Sequence, residues 1–170
     1  MAFFRQEDLN RLDWRLLQNG FINLYWRTNS LDEDVQKLEE LGYKIVRFDC
    51  SLWKTMHECA HDFNSKLKIQ WQGNSLDALN DFLADIEISF ESGLVLVFSK
   101  YDLLKKIEPQ ASWSWDILDI LASNGRRHLL FGKRLLCMVQ VDESTLAFQP
   151  VGAQAVNWNP REWLNKNRGL

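Results

Sequence analysis

Three aspartates spaced four residues apart are the side chains most suited to act on a charged partner. Asp77, Asp81 and Asp85 lie in a segment that reads as one amphipathic helix. Successive residues of an α-helix turn by about 100°, so the three carboxylates form one acidic stripe opposite an apolar face. The apolar face consists of Leu76, Leu79, Leu83 and Ile86. Like charges at this spacing repel one another and weaken the helix, so the stripe indicates a surface kept for a cationic partner.

A second pattern, His57-Glu58-Cys59-Ala60-His61, has the H-E-x-x-H spacing of zinc proteases. On a helix its two imidazoles would share a face, and Glu58 could serve as a general base. Both histidines, however, lie on the flank of a helix whose apolar face centres on Met56, Ala60 and Phe63. The only other histidine, His128, follows two arginines, which disfavour a bound cation. A zinc hydrolase is therefore the weaker hypothesis, and we expect no metal and no cofactor.

The charges are distributed unevenly along the chain. The net charge is only −3, which argues against nucleic-acid binding by bulk electrostatics. Between Lys68 and Lys100 there is no lysine or arginine, and five acidic residues give this stretch a local charge of −5. We therefore predict a negative pole that attracts a basic protein. The basic residues near the end of the chain, Arg161, Lys166 and Arg168, are an internal alternative that could cover the stripe instead.

Length and composition indicate one domain that is located in the cytoplasm. The chain has 170 residues, of which 46% are hydrophobic, enough for a sizeable core. Its three cysteines are widely spaced, which is typical of reduced thiols. The first residues lack the apolar run of a secretion signal, and the longest apolar run, Leu94 to Phe98, is too short to span a membrane.

The segment before the acidic helix shows alternating local signals. A short helix over Gln6–Leu12 is expected first. Asn19-Gly20 between two strand-like runs, 14–18 and 21–26, then predicts a β-hairpin, because a type I′ turn needs two residues with positive φ. Ser30-Leu-Asp-Glu33 has the spacing of a capping box, which predicts a helix from there to about Leu41. Gly42 would stop that helix, and a strand over 43–49 follows it.

The middle and the end of the chain predict a small parallel sheet with helices packed on it. Core helices are expected at 52–67 and 114–122, and the acidic helix begins at the N-cap Ser75. Continuous apolar strands are expected at 93–98 and 135–141. The order from residue 30 is then α-β-α-α-β-α-β, which is typical of an α/β fold. The N-terminal hairpin and a strand over 146–151 could widen the sheet antiparallel, and Asn159-Pro160 predicts a short final helix to Asn165.

The segment W-Q-G-N-S-L-D-A-L-N-D-F-L-A-D-I, residues 71–86, resembles the barstar family of ribonuclease inhibitors. The family has an aromatic-rich turn ending in glycine, then a helix that opens with Leu/Trp-Asp-Ala-Leu and carries a second aspartate four residues on. The likeness in element order extends over residues 43–141. Residues 1–42 and 142–170 would be additions to this core within one domain, 1–170.

The resemblance implies an intracellular inhibitor that plugs the active site of a small ribonuclease with the turn and the acidic helix. Asp77 and Asp81 match the family's two helix carboxylates, and the counterpart of Asp81 imitates a substrate phosphate. Trp71 stands at a contacting aromatic, and Gly73 holds the turn. The chain departs from the family pattern at Gln72 and Asn80, where the family has aromatic residues, and at Ser75, where it has asparagine. With Asp85, these eight residues form the predicted partner-binding site.

We therefore predict a protein that is not an enzyme and that binds a basic ribonuclease or nuclease toxin, without direct contact to nucleic acid or membrane. The alternatives are a protein-interaction module on the same scaffold that inhibits nothing and, less favoured, the zinc hydrolase. Partner binding rests on the stripe projecting into water, unpaired with the chain's own lysines and arginines.

Overall fold

The computed structural model describes residues 6–170, in which helices and strands alternate. In chain order they are α1 (Leu12–Asn19), β1 (Ile22–Tyr25), α2 (Thr28–Glu40), β2 (Lys44–Asp49), α3 (Met56–Leu67), α4 (Leu76–Asp85), β3 (Leu94–Ser99), α5 (Trp113–Leu130), β4 (Leu135–Gln140) and β5 (Asn157–Trp158). Short 3₁₀ turns occur at Gln6–Asn10, Cys50–Leu52, Tyr101–Lys106 and Asn165–Arg168. The order α-β-α-α-β-α-β from α2 to β4 confirms the predicted α/β alternation.

The five strands form one sheet in the order β2-β3-β4-β1-β5, and every pairing is parallel. The predicted parallel sheet is confirmed, but the expected antiparallel widening is wrong. β1 lies beside β4, with Ile22 opposite Cys137, and β5 pairs with the free edge of β1. Strands from both flanking segments therefore belong to the same sheet as the central ones.

Helices cover both faces of the sheet. Leu94, Leu96 and Phe98 of β3 point to the face covered by α3, α4 and α5, and Val95 and Val97 point to the face covered by α1 and α2. All five side chains are buried, as expected for a strand of a parallel sheet that is covered twice. Among residues 6–170, no helix is both long enough and apolar enough to cross a lipid bilayer.

The predicted N-terminal hairpin is wrong, because residues 12–19 form the helix α1. Gly20 follows this helix with φ of +119°, and its N–H donates to the carbonyl of Leu17. The buried side chain of Asn23 donates to the carbonyls of Leu16 and Gly20 at 3.3 and 3.0 Å. Asn-Gly therefore ends a helix here instead of turning a hairpin, since a glycine with positive φ serves both purposes.

The predicted capping box at Ser30 is also wrong, since α2 begins two residues earlier, at Thr28. The N-cap position, Arg27, makes no side-chain capping bond. The backbone N–H groups of Trp26 and Arg27 instead donate to the carboxylate of Glu162, at 2.8 and 2.9 Å. A carboxylate 135 positions away thus accepts from the N-cap N–H, the part that Glu33 was expected to play in the capping box.

Three further expectations near the end of the chain are wrong. Residues 146–151 form no strand, and Val151 makes only an isolated antiparallel bridge with Gln154. Asn159-Pro160 begins a turn, in which the Asn159 side chain accepts from the N–H of Arg161 at 3.1 Å. The helix α5 does not end at Ala122 but continues to Leu130. Gly125 within it leaves room for the ring of Phe21, since a Cβ there would lie 2.6 Å from that ring.

Candidate partner-binding site

The helix α4 presents the predicted site, and its start is fixed as the sequence suggested. Ser75 is the N-cap, with its Oγ accepting from the N–H of Ala78 at 3.3 Å. Leu79 and Leu83 on the inner face are fully buried against the core. Because burial of these two leucines holds the helix, the like charges on its outer face can be tolerated.

The three carboxylates of the stripe face water. Asp77, Asp81 and Asp85 are all exposed. Within residues 8–170, no lysine, arginine or histidine nitrogen lies within 4.0 Å of their carboxylate oxygens. Asp77 lies in the first turn, where the helix dipole favours a carboxylate, whereas Asp81 and Asp85 gain nothing from the dipole. The fold therefore leaves these charges available.

The basic residues near the end of the chain do not cover this stripe. Arg161 forms ion pairs with Glu33 and, at 2.9 Å, with Asp34 of α2. Arg168 is buried and donates to the carbonyls of Ser144 and Trp163. The internal alternative is therefore wrong for both arginines, because they are used to tie the C-terminal segment to the rest of the protein.

The three aspartates differ in their surroundings. Asp85 lines a cleft of about 450 Å³ together with Lys44, Lys66 and Lys68. None of these three lysines forms an ion pair with Asp85, and Lys66 is paired with Asp62 at 2.7 Å. Their positive charges nevertheless make the potential around Asp85 less negative. Asp77 and Asp81 do not line this cleft. The charge of Asp85 is therefore offset by these lysines more than the charges of Asp77 and Asp81 are.

Trp71 is buried, and the expectation that it offers an exposed aromatic anchor is wrong. Its side chain is only 1% exposed and meets the ring of Phe63 edge to face, with centroids 5.7 Å apart. The indole N–H donates to the carbonyl of Ser75 at 2.7 Å, and Asn64 bonds both the N–H and the carbonyl of Trp71. The ring closes the core at the α3–α4 connection and holds the residue that caps α4.

Gly73 holds the turn, as the resemblance implied, for a visible steric reason. Its φ is +73°, and a Cβ at this position would lie 2.6 Å from the carbonyl oxygen of Met56. Any other residue would strain the backbone and push the turn away from α3. The neighbouring Gln72 is exposed, and its amide makes only a long 3.5 Å contact with the carbonyl of Gln70.

Asn80 is half-buried and partly used within the protein. Its side-chain oxygen accepts from the amide of Asn124 on α5 at 3.0 Å. One turn later, Nε2 of His128 lies 2.9 Å from the carbonyl oxygen of Leu83, near the end of α4. Sequence reasoning missed both α5 residues, although two polar residues four apart on an apolar helix face are a recognisable signal of a buried polar contact.

The H-E-x-x-H pattern is not assembled into a metal site. His57 and His61 are exposed on α3, while His128 is buried against α4. The carboxylate of Glu58 accepts from the backbone N–H of Lys54 at 2.5 Å, so it caps α3. In the part of the chain that the structure describes, no three His, Cys, Asp or Glu side chains are placed to hold a metal ion.

The geometry thus gives an acidic, exposed ridge that begins at a rigid glycine turn and is held from behind by α3 and α5. A comparison with curated proteins found no match. A family model described as Barstar (barnase inhibitor) matches residues 43–137, which is more than half of the chain and includes the turn and α4. The chain therefore belongs to the Barstar family.

Proposed function

We propose that this protein inhibits a basic ribonuclease by inserting α4 into the cleft where RNA phosphates bind. The observation that carries the proposal is the exposed stripe of Asp77, Asp81 and Asp85, unpaired within residues 8–170. The description of the family as barnase inhibitors supports it. Inhibition would be steric occlusion with imitation of phosphate charge, so no bond would be made or broken.

Each site residue has a physical role in this proposal. Asp81, in the middle of the helix, would accept hydrogen bonds from the cationic groups of the nuclease, and Asp77 would support it. Gly73 and Gln72 would allow close approach of the backbone beside the helix. Asp85 would contribute least of the three aspartates, because three lysines line its cleft and offset its charge.

The buried residues would contribute by holding the ridge rigid. Trp71 fixes the carbonyl of Ser75, and Asn124 fixes Asn80. A site that is already ordered loses less conformational entropy when a complex forms, so its contacts produce a larger net affinity. This role replaces the contact first expected of Trp71.

The location that fits this proposal is the cytoplasm. Cys50, Cys59 and Cys137 are free thiols, all buried, as is common in reducing compartments. An inhibitor there would protect cellular RNA from a nuclease that is self-made or introduced by a rival cell.

The test is an RNA-cleavage assay with purified protein and a panel of small basic ribonucleases, beginning with barnase. We expect at least one to be inhibited, and Asp81→Asn to weaken binding by about 30-fold or more, as for a charge buried at an interface. Association should slow as salt rises from 0.1 to 1 M, over which the screening length falls from about 10 to about 3 Å.

The matched control is Glu39→Gln, which removes one exposed charge from α2 on the other face of the sheet. Equal binding by the Asp81→Asn and wild-type proteins would refute the role of the stripe. A stable complex with a ribonuclease that keeps full activity would instead support the non-inhibitory interaction module.

A further inference from the structure

An open cleft of about 590 Å³ lies directly beside the turn that precedes α4. Gly73 and Asn74 line it, together with Pro109 and Trp113. Because Gly73 and Asn74 immediately precede the N-cap of α4, the cleft and the acidic stripe are neighbours on one surface. A protein large enough to cover α4 would also cover this cleft.

The cleft is positively charged. Lys54 and Lys106 line it, and none of its ten lining residues is acidic. Both lysines are exposed, and neither forms an ion pair with any carboxylate within residues 8–170. Other lysines nearby are engaged, since Lys66 pairs with Asp62 and Lys105 lies over the ring of Phe148. The surface is therefore bipolar, with free carboxylates on the helix and free ammonium groups in the cleft.

We propose that this cleft is the second half of the partner-binding surface and receives a carboxylate-bearing loop of the ribonuclease. The inference rests on the proposed function and adds a specificity rule to it. A basic nuclease without an acidic group facing the cleft would meet two unpaired lysines, which costs affinity. A nuclease with such a group would pair its basic residues with the aspartates of α4 and its carboxylate with the two lysines of the cleft.

A protein carboxylate fits this cleft better than RNA does. An RNA strand brings one negative charge for every nucleotide, so a strand in the cleft would add phosphate charges beside the start of the acidic helix α4. A single aspartate or glutamate side chain reaches the lysines without bringing further charge against the stripe. Charge complementarity over the whole surface therefore favours a protein loop.

The test uses neutral lysine variants, because they separate local contact from bulk charge. Removing any lysine makes this acidic protein more negative, which by itself strengthens attraction to a basic nuclease. If Lys54 and Lys106 bind a carboxylate, Lys54→Gln/Lys106→Gln should instead bind about 10-fold more weakly, mainly through faster dissociation. Lys37→Gln is the control, since Lys37 is an exposed lysine of α2 on the opposite face of the sheet.

Binding is measured by surface kinetics with the ribonuclease that the wild-type protein inhibits, barnase first. Single substitutions of the nuclease's exposed Asp and Glu to amides are then combined with the lysine variants in double-mutant cycles. The proposal predicts one nuclease carboxylate whose coupling with Lys54 or Lys106 exceeds that with Lys37. Circular dichroism and thermal unfolding should be unchanged, because both lysines are exposed.

The other outcomes have distinct meanings. If Asp81→Asn weakens binding while Lys54→Gln/Lys106→Gln behaves like Lys37→Gln, the cleft proposal fails and the proposed function stands. If the wild-type protein inhibits no ribonuclease, both fail. If a single-stranded RNA decanucleotide binds the free protein and this binding needs the two lysines, the cleft is a nucleic-acid site and the proposal is overturned.

Discussion

Three carboxylates of the two flanking segments and the three carboxylates of α4 have opposite surroundings. Asp13, Asp34 and Glu162 are almost fully buried, and each is engaged by several donors. Asp77, Asp81 and Asp85 are exposed and have no ion-pair partner within residues 8–170. The first set lies outside the segment that matches the Barstar family, and the second lies within it.

The buried set joins the two flanking segments to each other and to the sheet. Asp13 of α1 accepts from the hydroxyl of Tyr43 at 2.9 Å and from Arg11 at 2.7 Å. Asp34 of α2 accepts from the hydroxyl of Tyr25 at 2.9 Å and pairs with Arg161. Glu162 completes the start of α2. Removing any of them would leave buried partners unsatisfied, so these charges serve the fold.

The exposed set serves no such purpose within the described residues. Its charges repel one another along α4, and Asp85 lies unfavourably near the negative end of the helix dipole. Acidic residues that the fold uses are recognised by their partners, whereas three unpaired carboxylates in a row on one helix indicate a surface for another molecule.

The largest effect is expected for Trp71→Ala, although Trp71 lies beside the exposed set. Removing a fully buried indole should lower the free energy of unfolding by about 3 to 5 kcal/mol. Urea denaturation measures this change. Gln72→Ala, at the exposed neighbouring position, should change it by less than about 0.5 kcal/mol. Equal small effects at both positions would show that the tryptophan faces solvent.

Glu162→Ala should destabilise the protein by about 3 kcal/mol. It leaves the N–H groups of Trp26 and Arg27 and the amide of Asn159 without their acceptor. Glu33→Ala is the control, because Glu33 is exposed and its ion pair with Arg161 is worth less than about 1 kcal/mol. A Glu162→Ala protein as stable as Glu33→Ala would mean that α2 does not depend on this carboxylate.

Stability should fall above about pH 9, because burial raises the pKa of every tyrosine and cysteine in the chain. These groups are Tyr25, Tyr43, Tyr101, Cys50, Cys59 and Cys137. The unfolded chain releases their protons near the ordinary pKa values, while the native protein keeps them. The unfolded state then binds fewer protons, so unfolding becomes more favourable as pH rises.

Each group contributes up to about 1.4 kcal/mol per pH unit, and below the ordinary pKa values the contribution to stability is fully present. Chemical denaturation between pH 7 and 11 gives the slope of the free energy of unfolding against pH. Tyr43→Phe should make this slope shallower over the pH range in which an unfolded tyrosine ionises. An unchanged slope would show that Tyr43 is not held neutral by burial and by Asp13.

The smallest effect is expected for Asp85→Asn, which should stabilise the protein, whereas the substitutions above destabilise it. Loss of one like charge near the end of α4 should raise the free energy of unfolding by about 0.3 to 0.5 kcal/mol. Affinity for the ribonuclease should fall, but less than with Asp81→Asn. Thermal unfolding and binding kinetics measured on the same samples give both quantities. A stability loss from Asp85→Asn would place this aspartate with the structural carboxylates.

The sequence predicted the central part well and the flanks poorly. The strand at 44–49, the strand at 94–99 and the Ser75 cap of α4 follow from alternation, apolar runs and an N-cap, all of which are local signals. The hairpin at 14–26 is wrong because Asn-Gly can end a helix as well as turn a hairpin, and the helix start at Ser30 is wrong because a residue distant in sequence decides it. Asn23 organises the end of α1, and Glu162 supplies the acceptor at the start of α2.

Within the site, the helix, its cap, the spacing of its three aspartates and the resemblance to its family follow from the sequence alone. They depend on periodicity and on contacts between residues no more than four positions apart. Three features follow only from the packing of the folded chain: Trp71 turns inward, Asn124 and His128 support α4, and Lys54 and Lys106 share a cleft beside it. Whether an aromatic ring in a turn is buried or exposed, and which residues surround a lysine, depend on packing between segments that are distant in sequence.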